Sequence, residues 1–398
     1  MAVMSDTFAM EPSLPPEGDP DLGNLAFELV EKAAALAAPL HPALQVSLGE
    51  LVRSMNCYYS NFIEGHETRP REIDRAMQGD FSDNPRQRAL QYEARAHINL
   101  QRLIDSGEDP KVWPTDSRYV LWVHEQFCSA LPEEMLWVEN PDTRERLKVI
   151  PGELRTRTVR VGHHVPPPPE MLAAYMPRLA EVYEPGKLSR QQQIVSVAAA
   201  HHRLLWIHPF LDGNGRVARL ISHAMLLRLR VGSGLWSVAR GLARRADRYR
   251  DLLAAADAPR RDDFDGRGAR SLAALKDFCQ FFLETCIDQV NFMSDLLQPS
   301  ELLRRIQLYV EDEVSAKRLP KGSYPILREA FREGALARGR APELTGYEER
   351  RARQIVAELI ERGLLRSENH RAPLRLAFPA DVHERWLPNL FPAELGSG

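Results

Sequence analysis

The stretch His208-Pro-Phe-Leu-Asp-Gly-Asn-Gly-Arg-Val-Ala-Arg219 places a base, an acid, two glycines around an asparagine and two arginines within one turn and the start of a helix. In Gly213-Asn214-Gly215, residues without a Cβ let backbone N–H groups turn inward at a helix N-terminus, where four donors lack partners and the dipole is positive. That is a cradle for an anion. Arg216 and Arg219 stand three residues apart on the helix that follows. They share a face, and helical side chains lean back toward the N-terminus, so both guanidiniums aim at the same anion. Two arginines over a backbone nest suit a polyphosphate better than a single carboxylate. Asp212, just outside the nest, is a hard oxygen ligand placed to hold Mg2+ (or Mn2+) bridging phosphates. His208, fixed by the proline after it, is a general base near neutral pH. A base beside an activated phosphate implies transfer to a hydroxyl. Taken singly, each residue is an ordinary helix cap or surface ion pair; the meaning lies in the whole string.

A second stretch lies far upstream, Ser60-Asn-Phe-Ile-Glu64-Gly65. The helix SLGELVRSMNCYYSNFIEG is expected to end at Glu64, with Gly65 as its left-handed cap. A carboxylate facing the negative end of a helix is unfavourable by about 0.3–1 kcal/mol unless a cation compensates. Glu64 therefore wants an arginine, and Ser60, one turn earlier on the same face, is placed to orient it. By itself the pattern describes a surface glutamate at a frayed helix end.

The elements that must position these groups are helical. From Leu25 to the end of the 280s apolar residues recur at helical spacing, as in LAFELVEKAAALA and QIVSVAAAHHRLLWI. The second of these is expected to stop at Ile207-His208 because a residue before proline is pushed out of the α region. One segment breaks the pattern: LKVIPGELRTRTVRVGHHVPPPPE carries short β-branched runs punctuated by Pro and Gly, which predicts a hairpin on the helical body. His163 and His164 lack carboxylate or cysteine partners at ligand spacing, so a polar loop is expected there and not a metal site. His201 and His202 read as packing residues. Beyond Glu301 the order becomes helix, helix, helix and short hairpin, which resembles a winged helix-turn-helix with SENHRAP at the wing tip.

Composition narrows the setting. The 398 residues exceed one ordinary domain, and a net charge of −3 gives no global signature for nucleic acid or membrane. The acidic, proline-rich first 22 residues read as a disordered tail, not a signal peptide. No run approaches the roughly 20 apolar residues of a membrane-spanning helix. The four cysteines Cys57, Cys128, Cys279 and Cys286 form no CxxC pair and are expected as reduced thiols in a cytoplasm. The abundance of Arg and Ala is that of a GC-rich genome.

The central string resembles the Fic family, whose signature HPFx[D/E]GNGRxxR is matched at every specified position. Over roughly Ala43 to Asp288 the chain is similar to that family, and the likeness implies a mainly helical fold with a small β-hairpin flap. It implies transfer of AMP from ATP to a Ser, Thr or Tyr hydroxyl of a protein, with release of pyrophosphate. His208 would deprotonate the target, Asp212 would hold Mg2+, and Gly213, Asn214 and Gly215 would bind the α and β phosphates. Arg216 and Arg219 would bind the outer phosphates, Phe210 would anchor the loop, and Tyr249 would lie near the adenine. Phosphorylating relatives have a lysine where Gly215 stands, so the glycine favours nucleotidyl transfer. Ser60 to Gly65 is similar to the family's inhibitory pattern [S/T]xxxE[G/N], in the position of the class with an N-terminal inhibitory helix. By that likeness Ser60, Glu64 and Gly65 form an inhibitory element in which Glu64 occupies Arg219 and holds ATP in an unsuitable pose. In some relatives the same glutamate supports removal of AMP, which leaves net de-AMPylation as an alternative.

The expected organisation is a tail (1–22), an N-terminal helical region (23–112) with the inhibitory helix at about 47–65, a Fic core (113–297) with its target-docking flap at about 147–166, and a winged helix (298–398). Arg350, Arg351 and Arg353 in the last helix favour phosphate contacts, whereas Glu348 and Glu349 at its start oppose them, so DNA and protein remain open as partners of that module. The expectation is a bacterial-type, cytoplasmic, autoinhibited adenylyltransferase with a protein target, self-modification and the homodimers common among relatives. The rival is a DNA-binding regulator that uses the same fold to sense nucleotide; the base His208 counts against it, since a sensor needs only the nest.

Overall fold

In the computed structural model, residues 7–140, 143–232 and 234–391 are described, and among them the chain is mainly helical with two small two-stranded sheets. The first four long helices all begin on proline: α1 (Pro20–Ala37), α2 (Pro42–Ile63), α3 (Pro70–Gln78) and α4 (Pro85–Ser106). Proline suits the first helical position, where its fixed φ is pre-set and its missing N–H is not needed. Side chains finish the caps: Asp19 accepts from Leu22 N at 3.1 Å and Asn84 from Arg86 N at 3.0 Å.

The body continues with α5 (Ser117–Ser129), the strands β1 (Trp137–Glu139) and β2 (Arg146–Lys148), α6 (Leu172–Val182), α7 (Arg190–Ile207), α8 (Asn214–Arg228), α9 (Val238–Arg244), α10 (Ala246–Asp257) and α11 (Leu272–Leu296). Helix α7 is buried nearly all round, from Ile194 to Ile207, and packs against α1, α6, α8 and α11. It is the core post from which the motif hangs, which is why its sequence shows so little polar face.

Two expectations need correction. The hairpin forms upstream of the segment chosen from sequence: Trp137 pairs with Lys148 and Glu139 with Arg146, while most of 147–166 is irregular, with one antiparallel bridge between Val161 and His164. Pro151 and Pro166 lack a ladder donor, and Gly152 and Gly162, at φ 76° and 58°, turn the chain out of the extended conformation. The N-terminal tail is also not free. Residues 1–6 lie outside the described residues, but Met10 is fully buried, Tyr183 Oη donates to Ser13 O at 2.7 Å, and Arg203 Nη2 donates to Pro12 O at 2.6 Å. The tail's own polarity hid these bonds, because the donors come from the core.

After α11, Gln298 caps α12 (Pro299–Ser315) by accepting from Glu301 N at 2.8 Å. Then follow α13 (Ser323–Arg332), α14 (Ala341–Thr345), α15 (Glu349–Glu361) and the hairpin β3 (Leu365–Arg366) with β4 (Arg375–Leu376). The short α14 is an addition to the expected order. Past α16 (His383–Trp386) the chain hooks onto the body: Tyr59 Oη donates to Leu390 O at 2.9 Å, Arg240 Nη2 to Asn389 O at 3.0 Å, and Phe391 meets Tyr58 edge-on with centroids 5.4 Å apart. Helix α2 is thus gripped through its tyrosines by Leu390 and Phe391. All four cysteines are buried free thiols, and no described helix is long and apolar enough to cross a membrane.

Candidate active site

Helix α7 ends because Pro209 removes the next donor, and His208 turns into the left-handed region at φ 48°, ψ 62°, its N–H still bonded to Leu204 O at 3.0 Å. Burial pushes the His208 imidazole down to about 4, with the His164 ring and the Arg155 cation adding to the effect. The ring is therefore neutral near pH 7, the form that accepts a proton. His164 is itself tied down, Nε2 donating to Trp206 O at 2.9 Å and Nδ1 lying 3.1 Å from Asp257 Oδ2. His164 thus ties its loop to α7 and α10.

The loop after His208 is stapled by Asn214. Its Oδ1 accepts from Phe210 N at 3.0 Å and its Nδ2 donates to Phe210 O at 2.9 Å. The Asn214 side chain is therefore spent on holding the loop. Gly213, at φ 79°, caps α8 without a side-chain hydrogen bond, and the first helical bond is Val217 N to Gly213 O at 2.9 Å. The N–H groups of the first turn are left without intrahelical partners, as at any helix start. Under the loop the Phe210 ring stacks on His124, centroids 3.8 Å apart and planes 2° from parallel. His124 Nδ1 accepts from Gly152 N at 3.0 Å, so its proton sits on Nε2, toward the Asp212 backbone. Burial pushes His124 down to about 4 and keeps it neutral.

The two arginines are buried and held by carboxylates. Arg219 donates through Nε to Ser60 Oγ at 2.8 Å and through Nη2 to Ser60 O at 3.1 Å and Glu64 Oε1 at 2.5 Å. Ser60 and Glu64 are presented together because α2 ends as expected: Gly65 takes φ 82°, Gly65 N bonds Phe62 O at 3.0 Å, and His66 N bonds Asn61 O at 2.9 Å. This is a Schellman turn. Burial raises the Glu64 carboxyl, but Arg219 more than reverses it and the net direction is down. Arg216 lies over the Phe127 ring, with Nη2 3.3 Å from Asp212 Oδ2 and Nη1 3.1 Å from Glu93 Oε1. Nη1 thus has Glu93 as its ion-pair partner, and Nε is the buried donor of Arg216 left without one. Glu93 is steadied in turn by His66 Nδ1 at 2.7 Å.

The model of the Fic/DOC family matches residues 114–226, from the start of α5 nearly to the end of α8. Residues 114–226 are a Fic/DOC family domain. The protein adenylyltransferases Fic of Drosophila erecta and Drosophila willistoni are 42% and 43% identical to the chain over 77 residues, 19% of this chain. The match spans 16% of the length of each of those relatives. A Fic family protein from Desulfovibrio desulfuricans G20 has the same fold at 17% identity, with a TM-score of 0.54 over 92% of this chain and 98% of its own.

The Fic domain thus holds His208, Asp212, Gly213 to Gly215, Arg216 and Arg219, while Ser60, Glu64 and Gly65 reach it from outside the matched span. Tyr249 is buried, its hydroxyl 2.7 Å from His201 Nε2 and near enough to Arg219 and Glu64 to feel their charges. Sequence reasoning passed over Glu93, His124 and Arg155. Glu93 left a trace, since with His97, Leu100 and Ile104 it forms one helical stripe, all buried, and a carboxylate on a core stripe needs a cation. His124 and Arg155 left none, because their hydrogen bonds go to backbone groups distant in sequence, such as Gly152 N for His124 and the carbonyls of Pro167, Ile207 and His208 for Arg155.

Proposed function

We propose that this chain is a protein adenylyltransferase, transferring AMP from ATP to a Ser, Thr or Tyr hydroxyl of a protein and restrained by Glu64 on Arg219. The observation that carries the reading is the helix start at Gly213 to Gly215, with first-turn N–H groups free of intrahelical partners, flanked by the buried Arg216 guanidinium and the neutral, left-handed His208. The nest and Arg216 would take the phosphates, and Arg219, once free of Glu64, the outermost one. Nε2 or Nδ1 of His208 would accept the hydroxyl proton as the target oxygen bonds to the α phosphorus, while the α–β bridging bond breaks and pyrophosphate leaves. Asp212, with its side chain half exposed beside the nest, fits a Mg2+ that arrives with the phosphates, since that ion needs only one or two protein carboxylates. Bound there, the ion would offset charge on the phosphate oxygens.

The C-terminal module, which we read as a winged helix beginning near Gln298, would dock protein or DNA. Arg350, Arg351 and Arg353 are exposed on α15, but Arg353 already pairs with Glu349. The test of the transferase reading is label transfer from α-labelled ATP with Mg2+, with γ-labelled ATP as control. Transfer that rises in Glu64→Gly, vanishes in His208→Ala and is absent with the γ label supports it. ATP binding without transfer in every variant would instead favour a nucleotide-sensing DNA regulator.

A further inference from the structure

Arg155 is a buried guanidinium, 3% exposed, on the segment that follows β2. Among the described residues no carboxylate lies within ion-pair distance of it. Its donors go to carbonyls: Nε to His208 O at 2.8 Å, Nη2 to Ile207 O at 3.3 Å and to Pro167 O at 2.5 Å, and Nη1 to Arg157 O at 3.1 Å. Its own backbone N–H bonds Pro209 O at 2.9 Å. One residue therefore engages three consecutive carbonyls, 207 to 209, at the point where α7 breaks and its last carbonyls lose helical partners. The remaining donors hold the irregular segment 157–167. A left-handed, non-glycine His208 costs about 1–2 kcal/mol and persists only where its surroundings impose it.

Resting on the transferase reading for its functional meaning, we propose that Arg155 is a positioning residue for His208, its guanidinium pinning the His208 carbonyl to the flap segment. The fork geometry matters because only a planar guanidinium serves four carbonyls at once; an ammonium has three donors on one atom. The charge matters as well. The groups that face the His208 imidazole are Arg155 and His164 from the flap segment and Asp212 from its own loop, with Asp257 of α10 behind His164. Of these Arg155 is the fixed cation, and it opposes protonation of the ring. Removing it is expected to let His208 protonate at higher pH.

The experiment is a histidine titration of the full chain, carbon-13 labelled at Cε1, with His208 assigned by loss of its signal in His208→Asn. Arg155→Met and Arg155→Lys are compared with the parent, all in the Glu64→Gly background. In Arg155→Met the His208 midpoint is expected to rise by about 0.5–1 pH unit. In Arg155→Lys the charge is kept and the midpoint stays with the parent. Both variants are expected to lose about 10–100-fold in kcat for AMP transfer, with KM for ATP within about twofold. An unmoved His208 midpoint in folded Arg155→Met, or full turnover in Arg155→Lys, overturns the proposal. If Arg155→Met does not fold, the Arg155→Lys turnover decides it. Should the chain transfer no AMP at all, the titration still decides whether Arg155 sets the state of His208, and only the transferase reading falls.

Discussion

The Glu64 carboxylate fills the space in front of Gly215: a Cβ built on Gly215 would lie 2.2 Å from Glu64 Oε1 and 3.1 Å from Arg219 Nη1. The glycine that opens the nest is also the glycine that admits Glu64. The two positions are therefore energetically coupled. Gly215→Ala is expected to cost about 0.5–2 kcal/mol more stability in the parent chain than in Glu64→Gly. A double-mutant cycle from urea unfolding measures the difference, and additive effects would refute the contact.

Removing the carboxylate leaves Arg219 buried on neutral partners such as the hydroxyl and carbonyl of Ser60. Glu64 keeps 32% of its side chain exposed, so the loss is expected below that of a fully buried pair, at about 1–3 kcal/mol. Thermal melts of Glu64→Gly are expected to show a lower Tm without nucleotide and a larger upward shift with Mg-ATP than the parent shows, because ligand binding then restores a partner to Arg219.

His66 and Glu93 support Arg216 in a way that pH can report. The hydrogen bond to Glu93 raises the His66 imidazole above its ordinary value, against burial. A raised histidine contributes stability that is complete below about pH 6.5 and fades as pH climbs through the raised value. The parent is expected to exceed His66→Gln in stability at pH 6 and to approach it by pH 9. The gap is at most about 1 kcal/mol, since the imidazole is 39% exposed and screened by solvent. A gap that widens with pH would reverse the assignment.

His124 braces the loop through its face against Phe210. His124→Ala is expected to destabilise the fold by about 2–4 kcal/mol through the cavity it leaves. His124→Phe keeps the stack but loses the bonds to Gly152 and Asp212, and is expected to retain most of the stability while still losing transfer. Chemical denaturation and the label-transfer assay separate the two effects.

Local chemistry announced itself in the sequence. The break at His208-Pro209, the uncapped turn at Gly213 and the Schellman end at Gly65 each follow from one or two residues whose backbone preferences are strong. That Glu64 needs a cation was legible from a carboxylate at a helix C-terminus, whereas Arg219 as that cation was implied by the resemblance to the Fic family. Contacts to backbone were not. Arg155 reads carbonyls that every residue carries, and Arg203 and Tyr183 hold the N-terminal tail in the same way. The misplaced hairpin has the opposite origin: the β-branched residues Thr158, Val159 and Val161 carry strand propensity, but among the described residues the partner strand they need does not form.

The hook at Asn389 to Phe391 has a thermodynamic consequence. Tyr59 and Leu390 are 331 residues apart in sequence, yet they share a bond against the helix that ends in Glu64. Neither region is able to melt alone without uncovering the tyrosine faces of α2 and stripping Arg240 of its carbonyl. The helix that presents Glu64 thus belongs to one cooperative unit with the last described residues, and calorimetry is expected to register a single transition. Any influence that loosens residues 389–391 lowers, by the same free energy, the stability of the helix at the mouth of the Fic domain.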